Sequence, residues 1–266
     1  NAKEWLVVML LARGLVVPDG RMLFQYRLST PEYLEVREIL RASAHSSADG
    51  SEFLDAREVC ALLVLYAAEW WRGDYGGGAW ARTPIFETFV PRGRVIPPQA
   101  RTHAVIRGIS YWHHLPGSES KRFFGVVVAH GGLPMRLIAQ GSGKVRAVRS
   151  RALRLGVRYR WDEASVQDAI AERGMELVPA LRHEEIYLLM AQMVIVVMEL
   201  RREFELTGVA NPIRVLDAHD AGWRERFPLA LDDDSAQHLL SGLVQEAAQV
   251  IVTAGASGDF RVEGLL

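Results

Sequence analysis

The chain has 266 residues, 49% hydrophobic and 24% charged, which is enough apolar material for a sizeable core and length for one large domain or two small ones. A formal net charge of −1 excludes any bulk attraction for polyanions, and a single cysteine, Cys60, excludes an intramolecular disulfide framework or a Cys-rich zinc site. The longest apolar run, residues 186–198 interrupted only by Gln192, is well short of the roughly 20 residues that span a bilayer, so no membrane partner is expected.

Asn1-Ala2 in place of an initiator methionine reads as a tag remnant, and fold reasoning starts at Lys3. Residues 5–12 are apolar and followed by Arg13-Gly14, which predicts a buried first helix with Gly14 near its C-cap. Val17-Pro18-Asp19-Gly20 reads as a turn and residues 22–28 as a short strand. Thr30-Pro31 predicts an N-cap and first helical position for a helix to about residue 42, followed by a loop over 45–51. Asp55-x-x-Glu58 has the form of a capping box before an all-round apolar run, residues 59–68, expected as a central helix that ends near Gly73. The proline-rich segment 91–98 reads as a linker or wrapped loop, and a helix follows over about 99–114.

Residues 123–129 fit a buried strand or helical turns, and helix is the assignment adopted. Helices are expected over 144–160, over 162–173, and from Glu184-Glu185 through the long apolar run to Arg201-Arg202 and Gly208. Residues 210–234 read as irregular, Ser235 as the cap of a last helix to about 253, and residues 259–266 as the start of a strand that fits a longer parent chain. The expected fold is mainly α: a compact multi-helix bundle with at most a few short strands. Residues 3–266 form one helical domain in this reading, with two subdomains, 3–90 and 99–258, joined by 91–98.

Charge is segregated in one place. Residues 121–160 hold ten basic side chains and no acidic one, so this segment carries +10 and the remainder −11. On a helical wheel, Val145, Val148, Ala152, Leu155 and Tyr159 form one stripe, with Lys144, Arg146, Arg149, Arg151, Arg154, Arg158 and Arg160 around it. A helix docked through that stripe projects cations outward, the arrangement that neutralises phosphates. The competing reading pairs these cations with Asp162, Glu163 and the Asp232–Asp234 cluster. Sparse aromatic residues give no support for base stacking on this segment.

Catalytic motifs fail on spacing. Gly141-Ser142-Gly143-Lys144 lacks the first glycine and the Ser/Thr of a phosphate loop, and His183-Glu184-Glu185 has Tyr187 where a zincin needs its second histidine. Asp217 with His219-Asp220 and the Glu119-Ser120-Lys121 tripeptide each match only a fragment of a metal-dependent motif. His103, His113, His114, His130 and Cys60 fit no standard zinc spacing. No catalytic residue, metal or cofactor is expected. Two corners are unusual: Trp70, Trp71, Asp74, Tyr75, Gly76, Gly77, Gly78 and Trp80 after the central helix, and His130, Gly131, Gly132 and Pro134 beside the basic segment. They read as aromatic packing around glycine turns or as the walls of a pocket.

The order Pro18-Asp19-Gly20-Arg21, Tyr26-Arg27-Leu28, Tyr66-Ala67-Ala68-Glu69-Trp70-Trp71, Gly76-Gly77-Gly78-Ala79-Trp80, Gly131-Gly132-Leu133-Pro134 and Trp223-Arg224-Glu225-Arg226-Phe227-Pro228 resembles the N-terminal region of a family of large uncharacterised bacterial proteins. These are encoded in defence islands beside DEAD/DEAH-box helicases, as the larger non-helicase component of type III Druantia anti-phage systems. The resemblance implies a cytoplasmic defence context, a helicase partner and a longer parent chain, and carries over no catalytic residue. The expected function is a scaffold or binding module that contacts DNA through the 144–160 helix. The alternatives are a purely structural interaction domain and an enzyme with its site between the two glycine corners.

Overall fold

The computed structural model describes residues 1–47, 51–76, 83–113, 130–136, 143–229, 234–254 and 260–263. Ten α-helices and one two-stranded hairpin lie within them, in two units, Asn1–Pro134 and Met135–Leu266. The mainly helical fold is the one expected.

In the first unit, α1 (Ala2–Ala12) is opened by the Asn1 side chain, which accepts from the Glu4 amide at 3.0 Å, and closed by Gly14 at φ +71°. α2 (Thr30–Ser46) starts one residue earlier than expected: Ser29, not Thr30, is the N-cap, in a reciprocal capping box with Glu32. Residues 22–28 are no strand. Leu23–Tyr26 form a 3₁₀ turn that buries Leu23, Phe24 and Tyr26 together, and Arg27 closes it at φ +50°.

α3 (Arg57–Gly73) is the centre of this unit, with every residue from Val59 to Glu69 buried. The expected Asp55 capping box does not form; Ala56 stands at the N-cap without a side-chain bond. After α4 (Thr83–Glu87), α5 (Pro98–Tyr111) packs on α3 so closely that a Cβ on Gly108 would lie 2.3 Å from the Cys60 carbonyl oxygen. Trp112 then donates its indole N–H to the Ala61 carbonyl at 3.1 Å. The proline-rich segment 91–98 lies inside this unit, held to α2 by Arg94, which donates to the Ala44 carbonyl and to that of Ser47 at 3.1 Å.

In the second unit, α6 (Gly143–Tyr159) and α7 (Glu163–Ala171) pack on the long α8 (Glu184–Glu203). Asp162 caps α7, its carboxylate accepting from the Ser165 amide at 2.8 Å. Residues 210–234 are not irregular throughout: Asn211 and Pro212 open α9 (Pro212–His219), and Trp223–Arg226 make a 3₁₀ turn. α10 (Asp234–Gln249) packs on α8 and α9, beginning one residue before Ser235. The chain leaves it into β1 (Ile251–Ala254), antiparallel to β2 (Phe260–Glu263). The helix assigned to 123–129 lies outside the described residues.

Candidate nucleic-acid interface

α6 carries six of the seven basic residues singled out above, with Arg160 directly after it, and the structure sorts them. Lys144, Arg146, Arg151, Arg154 and Arg160 are exposed and Arg158 is half-buried. Arg149 is 8% exposed and points into the unit, with Nη2 3.7 Å from Glu246 Oε2 on α10. Burial pushes its guanidinium below the ordinary value, with Glu246 opposing that shift. Arg149 is therefore a core ion pair and no part of an outer surface.

The buried stripe is rotated from the expected one. Val145, Val148 and Ala152 are buried as predicted, but they are joined by Arg149, Ser150, Leu153 and Gly156, while Tyr159 is 51% exposed. Gly156 explains the rotation. A Cβ there would lie 2.8 Å from Met198 Sδ of α8 and 3.5 Å from Val166 of α7, so the glycine is where three helices meet. The opposite face then carries Lys144, Arg151, Arg154 and Arg158 at helical spacings of 7, 3 and 4 residues. Among the described residues, neither Asp162 nor Glu163 pairs with any of them. Asp232, Asp233, Lys121 and Arg122 lie outside the described residues.

At the C-terminal end, Arg160 takes the left-handed region, φ +52°, and the Trp161 amide donates back to the Gly156 carbonyl at 3.1 Å. This is the Schellman closure, with arginine where glycine is usual. The same closure ends α8, with Glu205 at φ +50° and the Leu206 amide on the Arg201 carbonyl at 3.0 Å. Between the two closures lies a groove of about 720 Å³ lined by residues of α6, α7 and α8 together with Trp161 and Thr207. Sequence reasoning missed it, because its walls converge from three separate segments.

In the first unit the two glycine corners meet. Trp71 donates its indole N–H to the Gly132 carbonyl at 2.8 Å, and a Cβ on Gly131 would lie 2.5 Å from Trp71 Cδ1. Trp71 stacks on Tyr75 at 4.8 Å, Trp70 sits 6.1 Å from the same ring, and Gly132 is at φ +69° against Phe24. The Asp74 carboxylate accepts from the Tyr33 hydroxyl at 2.8 Å, His130 is half-buried, Pro134 is buried, and Gly76 is exposed. Gly77, Gly78 and Trp80 lie outside the described residues. The described part of this corner is aromatic packing with no space left at Gly131.

The other candidates resolve into structural contacts. Asp217 accepts from the Trp223 indole at 2.9 Å and from Arg224 at 2.6 Å, and Arg224, followed by Trp223, lowers its carboxyl from the ordinary value. Cys60 is fully buried, and its thiol donates to the Leu54 carbonyl. Among the described residues no three His, Cys, Asp or Glu side chains are grouped as metal ligands would be, and no helix is long and apolar enough to cross a membrane. His114, Glu119 to Lys121, Gly141 and Ser142 lie outside the described residues.

Residues 1–133 match the model of the YjiT N-terminal domain, and residues 140–256 match that of the YjiT second domain. The chain belongs to the YjiT family. Protein YjiT of Escherichia coli (strain K12) is 28% identical over 256 residues, covering 92% of this chain and 47% of that protein. The chain thus spans about half the length of the curated relative it matches. No solved structure matches it. The interval between the two family domains, 134–139, coincides with the division of the fold after Pro134.

Proposed function

We propose that this chain is a binding module of a larger, cytoplasmic anti-phage defence protein, and that it holds nucleic-acid backbone on the exposed face of α6. One observation carries the reading: Lys144, Arg151 and Arg154 share a solvent-facing side of one helix and have no acidic partner among the described residues. Several arginines elsewhere face a carboxylate, as in Arg13 with Glu32, Arg41 with Glu38, Arg173 with Glu176 and Arg226 with Glu203, and others such as Arg94 and Arg201 are tied to backbone carbonyls. Lys144 and Arg146 also stand in the first turn of α6, which contains no acidic residue. Cations there oppose the helix dipole by about 0.3–1 kcal/mol each, so helix stability does not account for them. The defence context and the DEAD/DEAH-box helicase partner come from the motif resemblance, and a phosphate-binding face suits a component that acts beside a helicase.

The test is titration of short duplex DNA with the 266-residue chain and with the Lys144→Glu/Arg151→Glu/Arg154→Glu variant at low salt. The reading expects binding that the variant loses while it melts no lower, since Lys144→Glu also relieves the clash with the helix dipole. A chain that ignores DNA at low salt contradicts it.

A second reading, docking of the helicase or of the rest of the parent chain, is favoured by α1 and the turn after it. Val7, Val8, Leu11, Val16 and Val17 are 47 to 84% exposed there, a run of apolar side chains of the kind that protein partners cover. Val8→Glu/Leu11→Glu then abolishes helicase co-purification without changing DNA binding.

A further inference from the structure

We propose that the α6 interface takes single-stranded nucleic acid in preference to duplex, by stacking a base against the Tyr159–Trp161 pair at the end of the basic face. The inference rests on the reading of α6 as a phosphate-contacting surface and names which nucleic acid that surface suits. Residues two apart on a continuous helix point to different sides. The left-handed Arg160 breaks that geometry, and the Trp161 amide bond back to Gly156 brings the indole alongside Tyr159, with ring centroids 5.7 Å apart and planes 23° from parallel.

Tyr159 is 51% exposed, although a tyrosine of the docked stripe would have been buried. The Arg158 guanidinium lies 4.9 Å from the same ring centroid, so a cation, a phenol and an indole are in successive contact where the exposed basic face ends. Trp161 also lines the groove of about 720 Å³, with Val157, Ile195 and Met198 as apolar wall. That volume is within the range of about 300–1,000 Å³ common for small-molecule sites.

These are the two components of sequence-tolerant single-strand binding: cations that follow the backbone and aromatic faces on which bases stack. A duplex offers the first component its phosphates but keeps its bases paired and stacked on one another, out of reach of an aromatic platform. Glu163, Glu199 and Glu205 also line the groove. With Asp162 they face Arg160, Arg201 and Arg202 in the same lining, so the groove offers phosphate little net attraction, and the backbone is left to the cations of α6.

The experiment is fluorescence anisotropy of the 266-residue chain with labelled oligomers of about 12 nucleotides, within the span of known single-strand sites. Single-stranded DNA, single-stranded RNA and the duplex of one sequence are compared, with Tyr159→Ala, Trp161→Ala and Trp161→Phe beside the unaltered chain. The expected result is that one or both single strands bind about tenfold tighter than duplex, the size of one base–aromatic stack. Either alanine variant removes that advantage without weakening duplex binding, and Trp161→Phe, which retains an aromatic face, keeps most of it. Equal affinity for single strand and duplex overturns this inference alone, as do alanine variants that stay folded by circular dichroism and weaken both equally. Binding to neither overturns the phosphate reading and this inference with it.

Discussion

Arg149 of α6 and Glu246 of α10 form an ion pair at 3.7 Å whose side chains are 10% and 22% exposed, so the most buried arginine of α6 ties two helices together instead of facing solvent. A charge removed from such a pair leaves its partner desolvated.

Arg149→Ala is therefore expected to destabilise the chain by about 2 kcal/mol, allowing for the partial exposure of Glu246. Arg149→Glu, which sets two carboxylates against each other, costs more, and Arg149→Glu/Glu246→Arg recovers part of the loss. Urea denaturation of the four proteins checks this. Equal midpoints for Arg149→Glu and Arg154→Glu would show that Arg149 is not a core residue. A DNA-binding test that reverses Arg149 along with its neighbours therefore confuses unfolding with lost contact, and the outer face must be tested without it.

Gly108→Ala is expected to be among the most costly single methyl additions in the first unit. The new Cβ would meet the Cys60 carbonyl oxygen at 2.3 Å and Val64 Cγ1 at 2.9 Å, and the backbone of α3 cannot yield as a side chain can. Overpacking of this kind costs about 3 kcal/mol. Gly174→Ala meets only the far end of a side chain, the Tyr187 hydroxyl at 2.2 Å, which can swing away. Thermal melts should place Gly108→Ala well below Gly174→Ala, and the reverse order would show that α3 and α5 do not pack as described.

The fold was largely legible because its signals are local. The apolar run of α3 predicts burial on all sides, and residues 59–68 are all buried. Gly14 and Gly73 mark the ends of α1 and α3. Where reading by pattern went astray, a competing local signal won. Ser29 and Thr30 are both good caps, and only the reciprocal bond to Glu32 selects Ser29. Asn211-Pro212 was a readable helix start that the later Pro228 and the aspartate run obscured. The candidate interface was half legible: charge counting found α6, but a wheel weighted by hydrophobicity treats Gly156 and Arg149 as outward. Packing placed both inward and thereby turned Tyr159 toward solvent. The Tyr159–Trp161 stack depends on one left-handed residue, Arg160, which no residue pattern announces.

Stability is expected to fall on the alkaline side. Burial, opposed by Arg107, pushes the Cys60 thiol up to about 12, and burial followed by the nearby Asp19 carboxylate pushes Tyr26 up to about 12. Burial also raises Tyr33, whose hydroxyl donates to Asp74. In the unfolded chain these groups ionise near their ordinary values, about 8.5 for Cys and about 10 for Tyr. Raised folded values mean that the folded state retains protons the unfolded state has lost. Their stabilising contribution is complete below about pH 8.5 and disappears as pH rises toward 12. Denaturation midpoints at fixed ionic strength should be level up to that point and decline above it, and a midpoint that holds or rises to pH 11 would contradict the burial of these groups.

The most direct test of the account is the slope of log K against log salt for the 266-residue chain on a short nucleic acid, measured beside Lys144→Glu/Arg151→Glu/Arg154→Glu. Each phosphate contact contributes about −0.9 to the slope on duplex and about −0.7 on a single strand. Loss of three contacts should flatten the variant's slope by about 2 to 3 with no fall in its melting temperature. Parallel slopes for the two proteins would mean that the outer face of α6 touches no phosphate, and the proposed function would fall.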